Sequence, residues 1–244
     1  MNEFELKRST ILVVDDVDDN RQLIESHLRK EKDFSVVFAG NGVEAISMFK
    51  KQEVSLILMD MEMPVMDGYT AARTIKGFEG ADMIPVIAMT AHEGEDEIRK
   101  CLKAGCNDYL NKPIKKDSLI NIINKYLGTC TKSEKTGGKS EKREDIAVYV
   151  DPDLKELIPG FLEKRRKDVE KISQLLDEGN LKEIYVIGHS MSGSGGGYGF
   201  DRISKIGKGI EEAARNGNVK DIKRLNNILA DYLSAVKVVI RDEG

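Results

Sequence analysis

The chain has 244 residues, 33% of them charged and 40% hydrophobic, and a formal net charge of −4 at pH 7. That length accommodates one large or two ordinary domains, and no apolar run approaches the ~20 residues needed to span a membrane. Residues 1–128 carry 17 basic against 22 acidic side chains, residues 129–145 carry 5 against 4, and residues 146–244 carry 16 against 16. No segment concentrates the positive charge of a nucleic-acid-binding module, which argues against a DNA-binding output domain. The first ten residues lack the basic-then-apolar pattern of a signal peptide. Cys101, Cys106 and Cys130 form no CxxC pair, which predicts reduced thiols in a cytoplasmic protein.

Strand and helix patterns alternate through the first half. Thr10 to Val14 reads as a short buried strand, followed by a helix from about Asp18 to Lys30. Phe34 to Ala39 is a second strand, and Asn41-Gly42 turns into a helix near Val43 to Lys51. Residues 54–59 form a third strand, with every position from Leu56 to Met59 apolar, as suits burial on both faces of a parallel sheet. A helix follows near Tyr69 to Lys76, then a strand from Ile84 to Met89 and a helix from about Glu95 to Lys103. Asp108 to Leu110 is a short fifth strand, and Lys116 to Tyr126 a last helix. Five βα units with short connections predict an α/β, flavodoxin-like sheet in the order 2-1-3-4-5, covered by helices on both faces.

Residues 129–145 hold a Gly-Gly pair and no apolar periodicity, which predicts a flexible linker. Beyond it, apolar residues recur three and four apart from Leu154 to Leu176. Further helices are predicted at Leu181 to Ser194, Asp201 to Arg215 and Val219 to Arg241, with Gly179-Asn180 and Gly217-Asn218 at the joints. The predicted domains are therefore 1–128 and an all-α four-helix bundle at 146–244.

Asp60 closes the third strand, where open α/β sheets place their ligand chemistry. A carboxylate there is a nucleophile, a metal ligand or a helix cap. Asp15 and Asp16 close the first strand, next to the third in the predicted order, so three carboxylates converge at one mouth. Their mutual repulsion calls for a hard divalent cation, and Mg²⁺ with oxygen ligands is the natural choice. The Thr90 hydroxyl and the Lys112 ammonium arrive at the ends of the fourth and fifth strands. Cation, hydroxyl and ammonium around one carboxylate suit in-line phosphoryl transfer onto Asp60. An EF-hand reading from Asp16 fails, because the glycine position holds Arg21 and the bidentate-glutamate position holds His27.

Residues 9–127 resemble a bacterial response-regulator receiver domain through Asp15-Asp16, Asp60 in MDMEMPVMDG, Thr90-Ala91 and Lys112-Pro113. The resemblance implies that Asp60 is phosphorylated and that the acidic pair and the Glu62 backbone carbonyl help to bind Mg²⁺. It implies also that Thr90 and Tyr109 move together as a switch.

Of the three histidines, His27 falls in a predicted helix and His92 in a loop, both read as solvated. His189 is flanked by Gly188 and Ser190, with Ser192 and Gly193 one turn on. Residues 188–200 hold six glycines, each costing a helix interior up to about 1 kcal/mol, so close packing or clearance around the imidazole must favour them. GHSMSG is similar to a hydrolase nucleophile elbow, but no histidine follows Ser190 and the second glycine is displaced to Gly193. Residues 146–244 resemble instead a histidine phosphotransfer (HPt) domain, carried by His189, Met191, Gly193 and the glycines through Gly199. One departure is Ser192, where that family often has a lysine; Lys182, Arg202 or Lys205 are candidates to replace it.

Together the resemblances imply a phosphorelay protein, a phosphoryl-transfer intermediate rather than a turnover enzyme, that takes phosphate from a histidine kinase onto Asp60. His189 then relays to or from a receiver aspartate, on this chain or on another response regulator. A linker of 17 residues spans about 20–25 Å r.m.s. and nearly 60 Å when fully extended, so transfer within or between chains is open. The alternative is an interaction protein whose phosphorylation alters a dimer or partner interface while His189 stays idle.

Overall fold

The structure is a computed structural model describing residues 8–128 and 147–240, apart from residues 32 and 93. It divides into two compact units, which meet in the chain between residues 133 and 134.

In the first unit, strands β1 (Ser9–Val14), β2 (Phe34–Ala39), β3 (Leu56–Asp60), β4 (Val86–Thr90) and β5 (Asp108–Asn111) form one parallel sheet in the order β2-β1-β3-β4-β5. The predicted order is the observed one. Five helices connect the strands: α1 (Asp18–Leu28), α2 (Gly42–Lys51), α3 (Gly68–Lys76), α4 (Glu95–Lys103) and α5 (Lys116–Leu127). Successive strand residues point to opposite faces, so each all-apolar strand feeds two cores at once. Leu12, Val14, Ile57 and Met59 pack with Ala71, Ile75 and Cys101 on one face. Ile11, Val13, Leu56 and Leu58 pack with Ile24, Leu119 and Ile123 on the other. Each side chain named here is at most 2% exposed, and a buried aliphatic side chain contributes about 1.5–3 kcal/mol. Cys101 and Cys106 are buried free thiols, pushed up to about 11 and about 12 by burial, which suits structural rather than reactive cysteines. Cys130 and the predicted linker lie outside the described residues.

The second unit contains α6 (Ile158–Asp177), α7 (Leu181–Ser194), α8 (Asp201–Arg215) and α9 (Val219–Ala235). The Asn180 and Asn218 side chains cap α7 and α9 by accepting backbone N–H bonds from Glu183 and Asp221, both at 3.2 Å. An aromatic cluster lies under the N-terminal half of α6: Phe161 stacks on Tyr198 at 4.2 Å and on Phe200 at 5.7 Å. One expectation is corrected here. The last helix stops at Ala235 rather than reaching Arg241, because Val236 turns extended and β7 (Lys237–Ile240) pairs in parallel with β6 (Ala147–Val150). The runs AVYV and KVVI are rich in β-branched residues, so strand pairing outweighs a helical reading of the last turn.

Among the described residues no helix is long and apolar enough to cross a membrane.

Candidate functional site

The carboxyl ends of β1, β3, β4 and β5 carry Asp15, Asp60, Thr90 and the residues leading to Lys112. Strand register brings them together: Val14 lies beside Met59, Asp60 beside Met89, and Thr90 beside Asn111. The Lys112 ammonium sits 2.7 Å from Asp60 Oδ2 and 2.9 Å from Asp15 Oδ2. All three side chains are nearly sealed from solvent, at 3%, 2% and 0% exposure. A buried ammonium between two carboxylates combines charge with hydrogen bonding, and removing it would leave buried carboxylates without their counter-charge.

Burial pushes the Asp60 carboxyl up to about 7, the Lys112 charge opposing that rise and Asp15 reinforcing it. Burial alone would lower the Lys112 ammonium, but the Asp15 and Asp60 carboxylates outweigh it and hold it above the ordinary lysine range. Lys112 is thus fixed as the cation, and the excess negative charge falls on the aspartates. Carboxylate oxygens of Asp15, Asp16 and Asp60 lie within 4.8 Å of one another, an all-oxygen donor set for a hard metal.

Several supporting groups carry no sequence signal. Asp15 Oδ1 accepts the Val17 N–H at 2.9 Å and the Asn20 side-chain amide at 3.0 Å, which fixes its carboxylate plane. The Arg21 guanidinium donates to the Asp15 carbonyl and to the Asp18 carboxylate. Asp60 Oδ1 accepts the Glu62 N–H at 3.1 Å. Thr90 Oγ1 accepts the His92 N–H at 3.1 Å and does not cap α4, which starts after Gly94. Tyr109 is 38% exposed. The 60–68 loop closes tightly: a Cβ on Gly68 would stand 2.0 Å from the Asp60 carbonyl, and Asp67 caps α3 through the Thr70 N–H at 2.7 Å.

One histidine reading is corrected and one holds. His27 is buried on α1, at 3% exposure, rather than solvated. His92 is a half-exposed loop residue, as read, and its Nδ1 lies 2.8 Å from Glu62 Oε1; Glu62 follows Asp60 by two residues and His92 follows Thr90 by two, so the pair belongs to the rim of this site.

His189 stands on α7, partly buried, with Nδ1 3.4 Å from Glu211 Oε1 on α8. Arg215 Nη2 donates to the same Glu211 oxygen and to the Tyr185 hydroxyl, both at 3.2 Å. The Tyr185 ring lies parallel to the imidazole at 6.3 Å, one turn before it. Burial would raise the Glu211 carboxyl, but the His189 hydrogen bond and charge, with Tyr185 and Arg215, hold it below the ordinary carboxylate range. Glu211 is therefore ionised, and the neutral His189 tautomer that donates to it from Nδ1 is the one that leaves Nε2 with its lone pair.

The glycines around His189 have a packing cause. A Cβ on Gly188 would stand 2.6 Å from the Glu211 backbone nitrogen, and one on Gly195 2.7 Å from that of Ser204. From the facing helix, a Cβ on Gly207 would stand 2.6 Å from both Met191 Cβ and the Ser192 nitrogen. Small residues let α7 and α8 approach until Glu211 reaches His189. Glu211 and Arg215 were not legible beforehand, because only the helix pairing brings residues 22 and 26 positions downstream to the imidazole, whereas Tyr185, four residues before His189 on the same helix, could have been found from that spacing. Of the proposed lysine substitutes, Arg202 is engaged elsewhere, over the Tyr232 ring at 5.3 Å.

The response regulator receiver domain model matches residues 11–124, and the Hpt domain model matches residues 156–238. The signal transduction histidine-protein kinase BarA of Escherichia coli (strain K12) is 30% identical over 237 residues, covering 87% of this chain and 24% of BarA. Hybrid signal transduction histidine kinase B of Dictyostelium discoideum is 39% identical over 133 residues, covering 50% of this chain and 7% of that kinase. The chain thus spans about a quarter or less of these curated relatives. Among solved structures, the receiver domain of sensor histidine kinase PA1611 from Pseudomonas aeruginosa PAO1, with a magnesium ion coordinated in its active site cleft, is 37% identical. It covers 50% of this chain and 99% of that one, with a TM-score of 0.46. The chain belongs to the two-component phosphorelay proteins, joining a response-regulator receiver domain to an Hpt domain.

Proposed function

We propose that this protein is a phosphorelay intermediate with two acceptors, Asp60 in a receiver domain at 1–128 and His189 in an HPt domain at 146–244, joined by a linker at 129–145. The observation that carries the reading is the buried Lys112 ammonium bridging Asp15 and Asp60, a charge held ready beside a carboxylate nucleophile. The donor is a histidine kinase and the onward partner a receiver, in this chain or another.

In the first step an Asp60 oxygen attacks the phosphorus of a donor phosphohistidine. The O–P bond forms as the N–P bond breaks, and the electron pair leaves on the donor imidazole. Lys112 takes up charge on the transferring phosphoryl oxygens, and the Thr90 hydroxyl offers a further hydrogen bond from the end of β4. Asp15 and Asp16, with Asp60 and the Glu62 backbone carbonyl, would hold Mg²⁺, which fits a donor set of oxygens carrying surplus negative charge. Bound there, Mg²⁺ supplies neutralisation of phosphoryl-oxygen charge. Thr90 and Tyr109 form the switch pair, the exposed Tyr109 moving inward as Thr90 turns toward the phosphoryl group.

In the second step His189 Nε2 attacks an aspartyl phosphate. The N–P bond forms as the acyl P–O bond breaks and the carboxylate leaves with the electron pair. The Nδ1 proton stays in place, and Glu211 faces the positive charge that spreads over the ring.

The test is a labelling time course with a phosphorylated histidine-kinase donor and Mg²⁺, in wild type, Asp60→Asn and His189→Gln. The expected result is alkali-labile label on Asp60 and acid-labile, alkali-stable label that requires His189. If all label is alkali-labile and confined to Asp60, the second domain is a binding module and the relay fails.

A further inference from the structure

A phosphoryl group on His189 Nε2 places about two negative charges beside a carboxylate that is itself ionised. Glu211, 3.4 Å from Nδ1, answers the positive charge of the ring but not the phosphoryl oxygens on Nε2, which call for a cation on the same rim. The residue one turn after the histidine, Ser192, is neutral, and α7 offers no cation beside the imidazole. The charge must come from the facing helix.

Two close approaches define the pairing of the helices. Gly188 meets Glu211, and Gly207 meets Met191 and Ser192, so α8 runs antiparallel to α7. Ser204 Oγ donates to the Ser192 carbonyl at 2.9 Å, extending the same line. On α8, Ser204, Lys208, Glu211 and Arg215 follow one another at four, three and four residues, which keeps them on one face. Ser204 bonds α7 below Ser192, Glu211 bonds His189, and Arg215 bonds Tyr185. Lys208 lies between Ser204 and Glu211 on this line, opposite the stretch from His189 to Ser192, at an exposed position. Arg215 is the fixed charge of the pair, tied to Glu211 and Tyr185 on the other side of the imidazole.

Resting on the phosphorelay reading of His189, we propose that Lys208 is the cation that binds the phosphoryl oxygens on His189, supplied from α8 because Ser192 supplies none, while Arg215 neutralises Glu211. Lys205, 100° around the helix from that line, takes no part.

The full chain carrying Asp60→Asn confines stable label to histidine, and phosphoramidate serves as the probe. The Nε2–P bond forms as the P–N bond of phosphoramidate breaks and ammonia leaves. Lys208→Ala is expected to slow alkali-stable labelling about three- to tenfold and to flatten its dependence on NaCl, with an unchanged melting temperature. Lys208→Arg should restore most of the rate, and Lys205→Ala should match the parent. Labelling of Lys208→Ala at the parent rate overturns the proposal, as does an equal loss in Lys205→Ala, which would show a general surface-charge effect. A parent that takes no label dependent on His189 overturns the phosphorelay reading and this inference with it.

Discussion

Asp60 sits at the end of a buried strand with a lysine 2.7 Å away, whereas His189 stands on the rim of a helix pair with a glutamate 3.4 Å away. The aspartate is the anion of its site and is given a cation. The histidine becomes cationic as it is phosphorylated and is given an anion. The scaffolds differ in the same sense. Parallel strands deliver polar groups from four separate segments to one edge, three of them charged, at depths where a few ångströms decide burial. Two helices deliver theirs along one seam, where the approach of the backbones decides which side chains meet. Charge at the first site depends on a lysine, and geometry at the second depends on glycines.

That contrast breaks first at Lys112. Replacing it by methionine leaves Asp15 and Asp60 buried against each other without their counter-charge, and removes the cation that meets the phosphoryl oxygens. Labelling of Asp60 by a kinase donor should fall about 10²–10³-fold, comparable to loss of one preorganised donor at a charge-developing centre. Labelling of His189 by phosphoramidate in the same protein should be unaffected. A Lys112→Met protein that labels Asp60 at the parent rate, with the fold verified by circular dichroism, would show that the buried ammonium is structural only.

At the second site the corresponding lever is a missing methyl group. Gly188→Ala would drive a Cβ to 2.6 Å from the Glu211 backbone, where no side chain can swing aside. Gly207→Ala would do the same against Ser192. Each should cost about 1–3 kcal/mol in urea unfolding of the helical unit, as overpacking does, and should also reduce His189 labelling by displacing Glu211. Gly160 in α6 is the control, because a Cβ there meets nothing within 4 Å. Gly160→Ala should stabilise by about 0.5–1 kcal/mol through helix propensity alone. If Gly188→Ala and Gly160→Ala shift stability in the same direction, close packing is not what the glycines provide.

The two sites were unequally legible for a physical reason. In a parallel sheet the chain order of strand ends nearly fixes which residues share a mouth, so Asp15, Asp60, Thr90 and Lys112 could be grouped from spacing and topology alone. The same rule could not find Asn20, whose amide fixes the Asp15 carboxylate from the first turn of α1. At the helical site the glycine cluster was visible, but its meaning was not. Period 3.6 says which face of α7 is apolar, yet the axial offset against α8 is set by contacts such as Gly207 with Ser192. Glu211 therefore read as one more acidic residue on an amphipathic helix. His27 misled because a histidine amid polar neighbours on a helix reads as solvated, and only tertiary packing turned it inward. Residues 237–240 misled because a β-branched run after a helix carries both periods over so short a stretch.

The smallest effect sharpens the contrast from the receiver side. Val65, in the loop that follows Asp60, has φ 70 and is 85% exposed, so neither packing nor conformational preference favours it there. The Met66 N–H donates to the Pro64 carbonyl at 2.8 Å, which closes a three-residue turn around Val65. A β-branched residue in that region stores strain of about 1–3 kcal/mol, and glycine would relieve it while adding about 0.5–1 kcal/mol of unfolded-chain entropy. Val65→Gly should therefore stabilise the receiver unit by about 1 kcal/mol in urea unfolding, with Val65→Asn in between, because asparagine tolerates the left-handed region. The strained turn ends at Asp67-Gly68, whose tight packing on the Asp60 carbonyl holds the loop against β3. If relieving the strain also changes the Asp60 labelling rate, the loop's rigidity contributes to the reaction. If the glycine variant is less stable than the parent, the turn is held by the surrounding packing at no net strain, and the receiver site owes its geometry to the strand ends alone.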